Sequence, residues 1–214
     1  MILFLLGTVF SAAAQDESED EEAGGEGDGI PVEDDWIGPP QGLYAAGDKA
    51  FVLSLGALFP VLFFNNANEV YAPNYPVGNI HIGGTGSLGF LYFISPAIFL
   101  GAEVQGSMNS TLAQNMFYMV PIGVKAGYQF LLSRFEFPLS LLVGMMPQAY
   151  SNNVGYFGLV LKPEASFYFR FNNDWSFGLN GAWWWVPQWP KTEGSEHNRY
   201  ANFLELSLTV RFHF

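Results

Sequence analysis

Cysteine is absent from the 214 residues. That excludes a disulfide scaffold, a thiolate metal site and a lipid-modified N-terminal cysteine. Charge is scarce, at 13% of residues, and basic charge scarcest, with 8 Lys and Arg against 20 Asp and Glu. A basic surface for neutralising phosphates is missing, so nucleic acid is excluded as a partner. Long apolar runs are missing too. The stretch 50–64 is 15 residues long and carries Pro60 near its end, and Ser95-Pro96 breaks 88–104. Neither supplies the roughly 18 clean apolar residues of a spanning helix, and Lys125, Lys162 and Glu164 fall mid-segment elsewhere. Histidine is limited to His81, His197 and His213.

What is present is uneven. Residues 16–35 hold 11 of the 20 acidic side chains and no basic one, whereas from Trp36 onward 9 acids face 8 bases. The first 14 residues combine an apolar run, Ile2 to Phe10, with Ser11-Ala12-Ala13-Ala14. This reads as an export signal (1–14) cleaved near Ala14, although no Lys or Arg precedes the run. Residues 15–42 are expected to be an acidic, disordered tail and a Pro/Gly linker, because they hold too little apolar surface to offset the entropy of ordering. Asp28-Gly29-Ile30 lacks the spacing of a calcium loop, so no metal or cofactor is expected.

From residue 43 to 214 the pattern has a period of two. Phe157, Leu159, Leu161, Pro163, Ala165, Phe167, Phe169 and Phe171 alternate with Lys162, Glu164, Ser166 and Arg170. Leu204 to Phe214 alternates with Glu205, Ser207, Thr209, Arg211 and His213. Comparable alternation at 47–64, 77–94, 97–108, 115–132, 135–149 and 174–187 brings the count to eight strands. Short connections near Ser95-Pro96, Ser133-Arg134 and Asn172-Asn173-Asp174 alternate with longer ones at 65–76, 109–114, 150–154 and 188–198. That asymmetry, with an even strand number, predicts an all-β fold: a closed antiparallel eight-stranded transmembrane β-barrel with short turns on the periplasmic side.

The direction of the apolar face follows from the poverty of the polar one. Its strong charges are Glu103, Lys125, Glu136, Lys162, Glu164, Arg170, Glu205 and Arg211, four acids and four bases among small residues. Such a set suits a compact interior in which charges pair. The opposite face is uniformly apolar and aromatic. In water it would aggregate, and in hydrocarbon it is satisfied. Trp175, Trp183 and Trp185 share that face at a spacing that matches an aromatic girdle, and Trp184 points into the lumen.

These features resemble the small eight-stranded outer-membrane barrels of diderm bacteria, the group of the OmpA transmembrane domain, OmpX and OmpW. The resemblance covers about 43–214 and includes the ending Leu206-Ser207-Leu208-Thr209-Val210-Arg211-Phe212-His213-Phe214. It implies an outer-membrane location, outer-membrane lipids as surroundings, and assembly machinery that reads Phe212 and Phe214. It leaves ligand, subfamily and oligomeric state open. At eight strands the lumen is about filled by side chains. The expected role is therefore non-enzymatic: structural, or surface interaction through loops 65–76 and 188–198. One alternative is a narrow, porin-like passage for small, apolar solutes lined by Leu58, Leu62, Leu142, Val160, Trp184 and Phe203. Another is a lipid-modifying enzyme using residues such as His81 or Ser195. Ser195-Glu196-His197 are adjacent in one loop and do not hold a nucleophile–base–acid geometry, so no catalytic residue is assigned.

Overall fold

The computed structural model describes residues 44–65, 70–71, 80–111, 115–150, 153–189 and 198–214. The expected export signal (1–14) and the expected acidic tail and linker (15–42), much of loops 65–76 and 188–198, and Ser195, Glu196 and His197 lie outside the described residues.

The strands are β1 (Lys49–Asn65), β2 (Val70–Tyr71), β3 (Ile80–Phe93), β4 (Ile98–Thr111), β5 (Met116–Met119), β6 (Ile122–Leu132), β7 (Phe135–Tyr150), β8 (Asn153–Arg170), β9 (Trp175–Gln188) and β10 (Arg199–His213). All neighbours pair antiparallel, and β1 pairs with β10 from Ala50–His213 to Asn65–Arg199, which closes the barrel. Eight staves make the wall. Strands β5 and β6 form one stave, interrupted at Val120-Pro121, and β2 is a two-residue addition to the β1 edge. Pro121 has no N–H to give the ladder. The wall is held there by Gln105 N–H donating to Pro121 O (2.9 Å) and Val120 N–H to Pro147 O (2.9 Å).

Short connections at 94–97, 133–134 and 171–174 share one end with both ends of the barrel chain; the longer loops share the other. At Ser133 φ is 56°, the positive value that a two-residue hairpin connection demands.

The alternation in the sequence becomes inside and outside. Leu204, Leu206, Leu208, Phe212 and Phe214 are exposed on the outer surface, while Glu205, Ser207, Thr209, Arg211 and His213 are buried within. In β8 the even positions 158–164, 168 and 170 are buried and Phe157, Leu159, Phe167 and Phe169 are exposed. Leu62 departs from its expected place. The register with β10 shifts between Pro60 and Leu62, so beyond the shift the faces exchange. Leu62 is 39% exposed, and Phe63 packs inward.

Candidate functional site

The lumen is the candidate site, and it is layered. At the end shared by the short turns, the segment before β1 folds back into the barrel. Gly47, at φ 104°, permits the turn. Asp48 accepts Ala45 N–H at 2.7 Å, and Gly47 N–H donates to Phe93 O at 2.8 Å. These bonds carry Tyr44 inward as a stopper. Its hydroxyl donates to Glu136 Oε2 (2.7 Å) and accepts from Arg211 Nη1 (3.2 Å). Its ring lies 4.2 Å from that of Phe93 and under the Arg170 guanidinium at 4.9 Å. Burial raises the pKa of the Tyr44 hydroxyl above the ordinary phenol value; Glu136 adds to the rise and Arg211 opposes it.

Beneath Tyr44, Glu136 is wholly buried and meets Arg211 Nη1 at 3.0 Å and Arg170 Nη1 at 3.6 Å. Arg170 also donates to the 171–174 turn, through Nη2 to Asn173 O at 2.7 Å. Midway along the barrel, Lys162 Nζ meets Glu103 Oε1 (2.6 Å), Glu164 Oε1 (2.9 Å) and, more distantly, Glu205 Oε2 (3.7 Å). Lys125 Nζ pairs with Glu103 and lies 2.7 Å from Glu164 Oε2. Glu205 is held chiefly by neutral donors: Gln105 Nε2 (2.9 Å), Trp184 Nε1 (2.8 Å) and Ser207 Oγ (3.0 Å). The structure therefore brings the eight interior charges together as two clusters, five residues at mid-height and three under Tyr44.

Above the central cluster, toward the long loops, the lumen is apolar. Leu58, Met119, Leu142, Met146, Val160, Trp184, Val186 and Phe203 are buried against one another. Five of the six apolar residues expected to line the interior are in this layer; Leu62, displaced by the β1 bulge, is not. Polar side chains Gln105, Ser107, Asn109 and Thr111 run up the facing wall on β4.

On the outside, Trp175 is 40% and Trp183 36% exposed. Trp185 is partly covered, stacked on Tyr200 with ring planes 8° apart. Phe212 packs against Trp175 (4.8 Å) and Phe214 (5.9 Å) at the rim of the short turns.

Four partners of the interior charges and of His213 are not singled out by the sequence: Tyr44, Gln129, Gln105 and Ser176. Tyr44 lies in an irregular segment, where periodicity carries no signal. Gln129 and Gln105 are legible only as inward polar positions. Ser176 Oγ lies 2.9 Å from His213 Nε2, a contact between β9 and β10 that no sequence spacing announces. Glu136 accepts from Ser176 Oγ (3.3 Å) and is not shown to orient the histidine. The order needed for a nucleophile–base–acid relay is thus not made there. His81 lies on an exposed stretch of β3, and its carbonyl accepts from Asn109 Nδ2 at 2.9 Å. No group of three or more His, Asp or Glu side chains suited to a metal ion occurs among the described residues.

Residues 38–212 match a protein-family model, and the chain belongs to that family. Its fold is that of the small eight-stranded outer-membrane β-barrels. Neisserial surface protein A, in its crystal structure, superimposes with a TM-score of 0.57 over 80% of this chain and 99% of its own, at 12% identity. An uncharacterized protein of Treponema pallidum is 30% identical over 137 residues, 64% of this chain. A second from the same organism is 27% identical over 140 residues, 59% of this chain. The chain spans 61% and 48% of the length of these two relatives. An uncharacterized Borreliella burgdorferi protein is 25% identical over 173 residues, 70% of this chain and 76% of its own.

Proposed function

We propose that this is an outer-membrane protein of a diderm bacterium, non-enzymatic, with a barrel that serves as a sealed scaffold and presents loops 65–76 and 188–198 at the cell surface. The observation that carries the reading is the layered filling of the lumen. Tyr44, the two charge clusters and the apolar layer around Trp184 succeed one another along the axis. Paired charges in a low-dielectric interior act as a plug, because separating them leaves uncompensated ions. The outer surface requires acyl chains around it, and Phe212 and Phe214 at the rim are the expected signal to the assembly machinery.

Planar-bilayer recording of the purified protein tests the sealed lumen. The expected result is no discrete conductance step; regular steps overturn the reading. Antibodies against 65–76 or 188–198 are expected to label intact cells, and labelling only after permeabilisation removes the surface role.

A second reading, passage of small apolar solutes, is favoured by one observation. Strand β9 pairs with β10 along its whole length, but with β8, among the described residues, it pairs from Arg170–Ser176 to Glu164–Ala182 and again only at Leu161–Trp185. Pro163 cannot donate at this seam and Pro187 continues it. The apolar layer lies directly behind, and a Gln188–Gln148 bond of 2.8 Å ties β9 to β7 across the inner face of β8. Since the chain has no native cysteine, Val160→Cys with Val186→Cys offers a clean lock. Under this reading, uptake of an alkane by proteoliposomes exceeds that of protein-free vesicles and falls when the disulfide forms. Under the first reading there is no excess uptake to lose.

A further inference from the structure

The two charge clusters are separated by a cavity of about 20 Å³. Arg211 of the cluster under Tyr44 lines it together with Glu103, Lys125 and Glu164 of the central cluster. Two of these residues hold a buried atom without a hydrogen-bond partner among the described residues: Arg211 Nε, a donor, and Glu164 Oε1, an acceptor. Lys162 Nζ is 2.9 Å from Glu164 Oε1 as an ion pair but outside hydrogen-bonding alignment. Arg211 is 2% exposed and Glu164 7%. A buried donor left unmet costs its full desolvation penalty, so Arg211 Nε–H requires a partner, whereas Glu164 Oε1, already facing Lys162 Nζ, keeps a lone pair for a second donor.

The clusters are also electrically complementary. Glu103, Glu164 and Glu205 against Lys125 and Lys162 leave one negative charge at mid-height. Arg170 and Arg211 outnumber Glu136 under Tyr44. The gap between them is where a polar bridge gains most.

We propose that this cavity binds one structural water, which accepts from Arg211 Nε–H and donates to Glu164 Oε1, and so joins the two clusters into one network. The size fits, since a single water needs roughly 10–15 Å³ of such space. The charge fits as well. Two acids and two bases line the cavity, and that balance gives neither a cation nor an anion a net field to hold it. Ser54, Ser140 and Ser166 supply further hydroxyls to the lining, in keeping with the two to four polar partners that buried waters make.

The site is tested on the intact chain in detergent, crystallised at high resolution from sodium bromide. The expected result is one density peak within hydrogen-bond reach of both atoms, without anomalous signal. An empty cavity overturns the proposal, and so does a bromide peak. A double-mutant cycle supplies an independent arm. Arg211→Lys keeps the charge and removes the Nε donor; Glu164→Met keeps the length and removes both acceptor oxygens. Denaturant unfolding is read from unboiled gels. A shared water predicts non-additivity of about tenfold in the folded-to-unfolded ratio, within the range seen for groups in one network. Additive effects overturn the bridge. If Arg211→Lys does not fold, the crystallographic result on the native chain decides.

Discussion

Tyr44 closes one mouth of the barrel with a single hydroxyl that serves two charged partners. Tyr44→Phe is expected to cost about 1–3 kcal/mol, because Glu136 and Arg211 lose a bond in a buried setting. The pH dependence has a definite sign. With its pKa raised in the folded state, Tyr44 contributes fully below the ordinary phenol value near 10 and loses that contribution as pH rises beyond it. Chemical denaturation at pH 8 and pH 11 is therefore expected to show the native chain falling relative to Tyr44→Phe; parallel curves would contradict this. Glu136→Gln is the harsher change. It leaves Arg170 and Arg211 facing each other in the lumen, and about 3–5 kcal/mol of destabilisation is expected, measured by urea titration in micelles. The eight charges were legible in the sequence as inward positions, because parity fixes the face. Their division into five and three was not, because it depends on distances across the barrel that no local pattern encodes. Tyr44 carries no signal because it precedes β1, outside any alternating segment.

At the scale of the strand, alternation gives the face wherever it is unbroken, and a bulge is what defeats it. β8 and β10 needed no correction of face. In β1 the extra residue near Pro60 exchanges the two sides, so Leu62 turns outward although its parity placed it within. In the fourth stave Pro121 cuts one expected strand into β5 and β6. A bulge shifts faces without changing composition, so alternation alone does not locate it. The β8–β9 seam yields a prediction of its own. Amides of Phe157–Leu161 that turn toward β9 are expected to exchange with deuterium much faster than those of Glu164–Arg170. Local opening needs few bonds broken where the ladder is missing. Uniform protection along β8 would show the seam to be as tight as its neighbours. A second element-scale expectation concerns the 133–134 turn. Ser133→Gly removes a side chain from left-handed backbone and should stabilise by about 1 kcal/mol, read as a higher unfolding midpoint.

For the molecule as a whole, closure is the governing feature. A sheet without a free edge offers no exposed margin from which unfolding can begin, so detergent acts slowly on it. The protein is expected to run as a compact, fast-migrating band on unboiled gels and to shift on boiling; a single boiled-like band at all temperatures would exclude a closed barrel in solution. Removing residues 16–35 is expected to leave that behaviour unchanged. The ladder that completes the cylinder joins Ala50 to His213, nearly the full length of the barrel sequence. Contacts of such separation are the slowest to form, because the ends must be found before any reward arrives. Until the last stave is delivered, the nascent sheet has two raw margins and a greasy flank. Neither half of the polypeptide closes those margins by itself, because each side of the final seam lies at an opposite end of the chain.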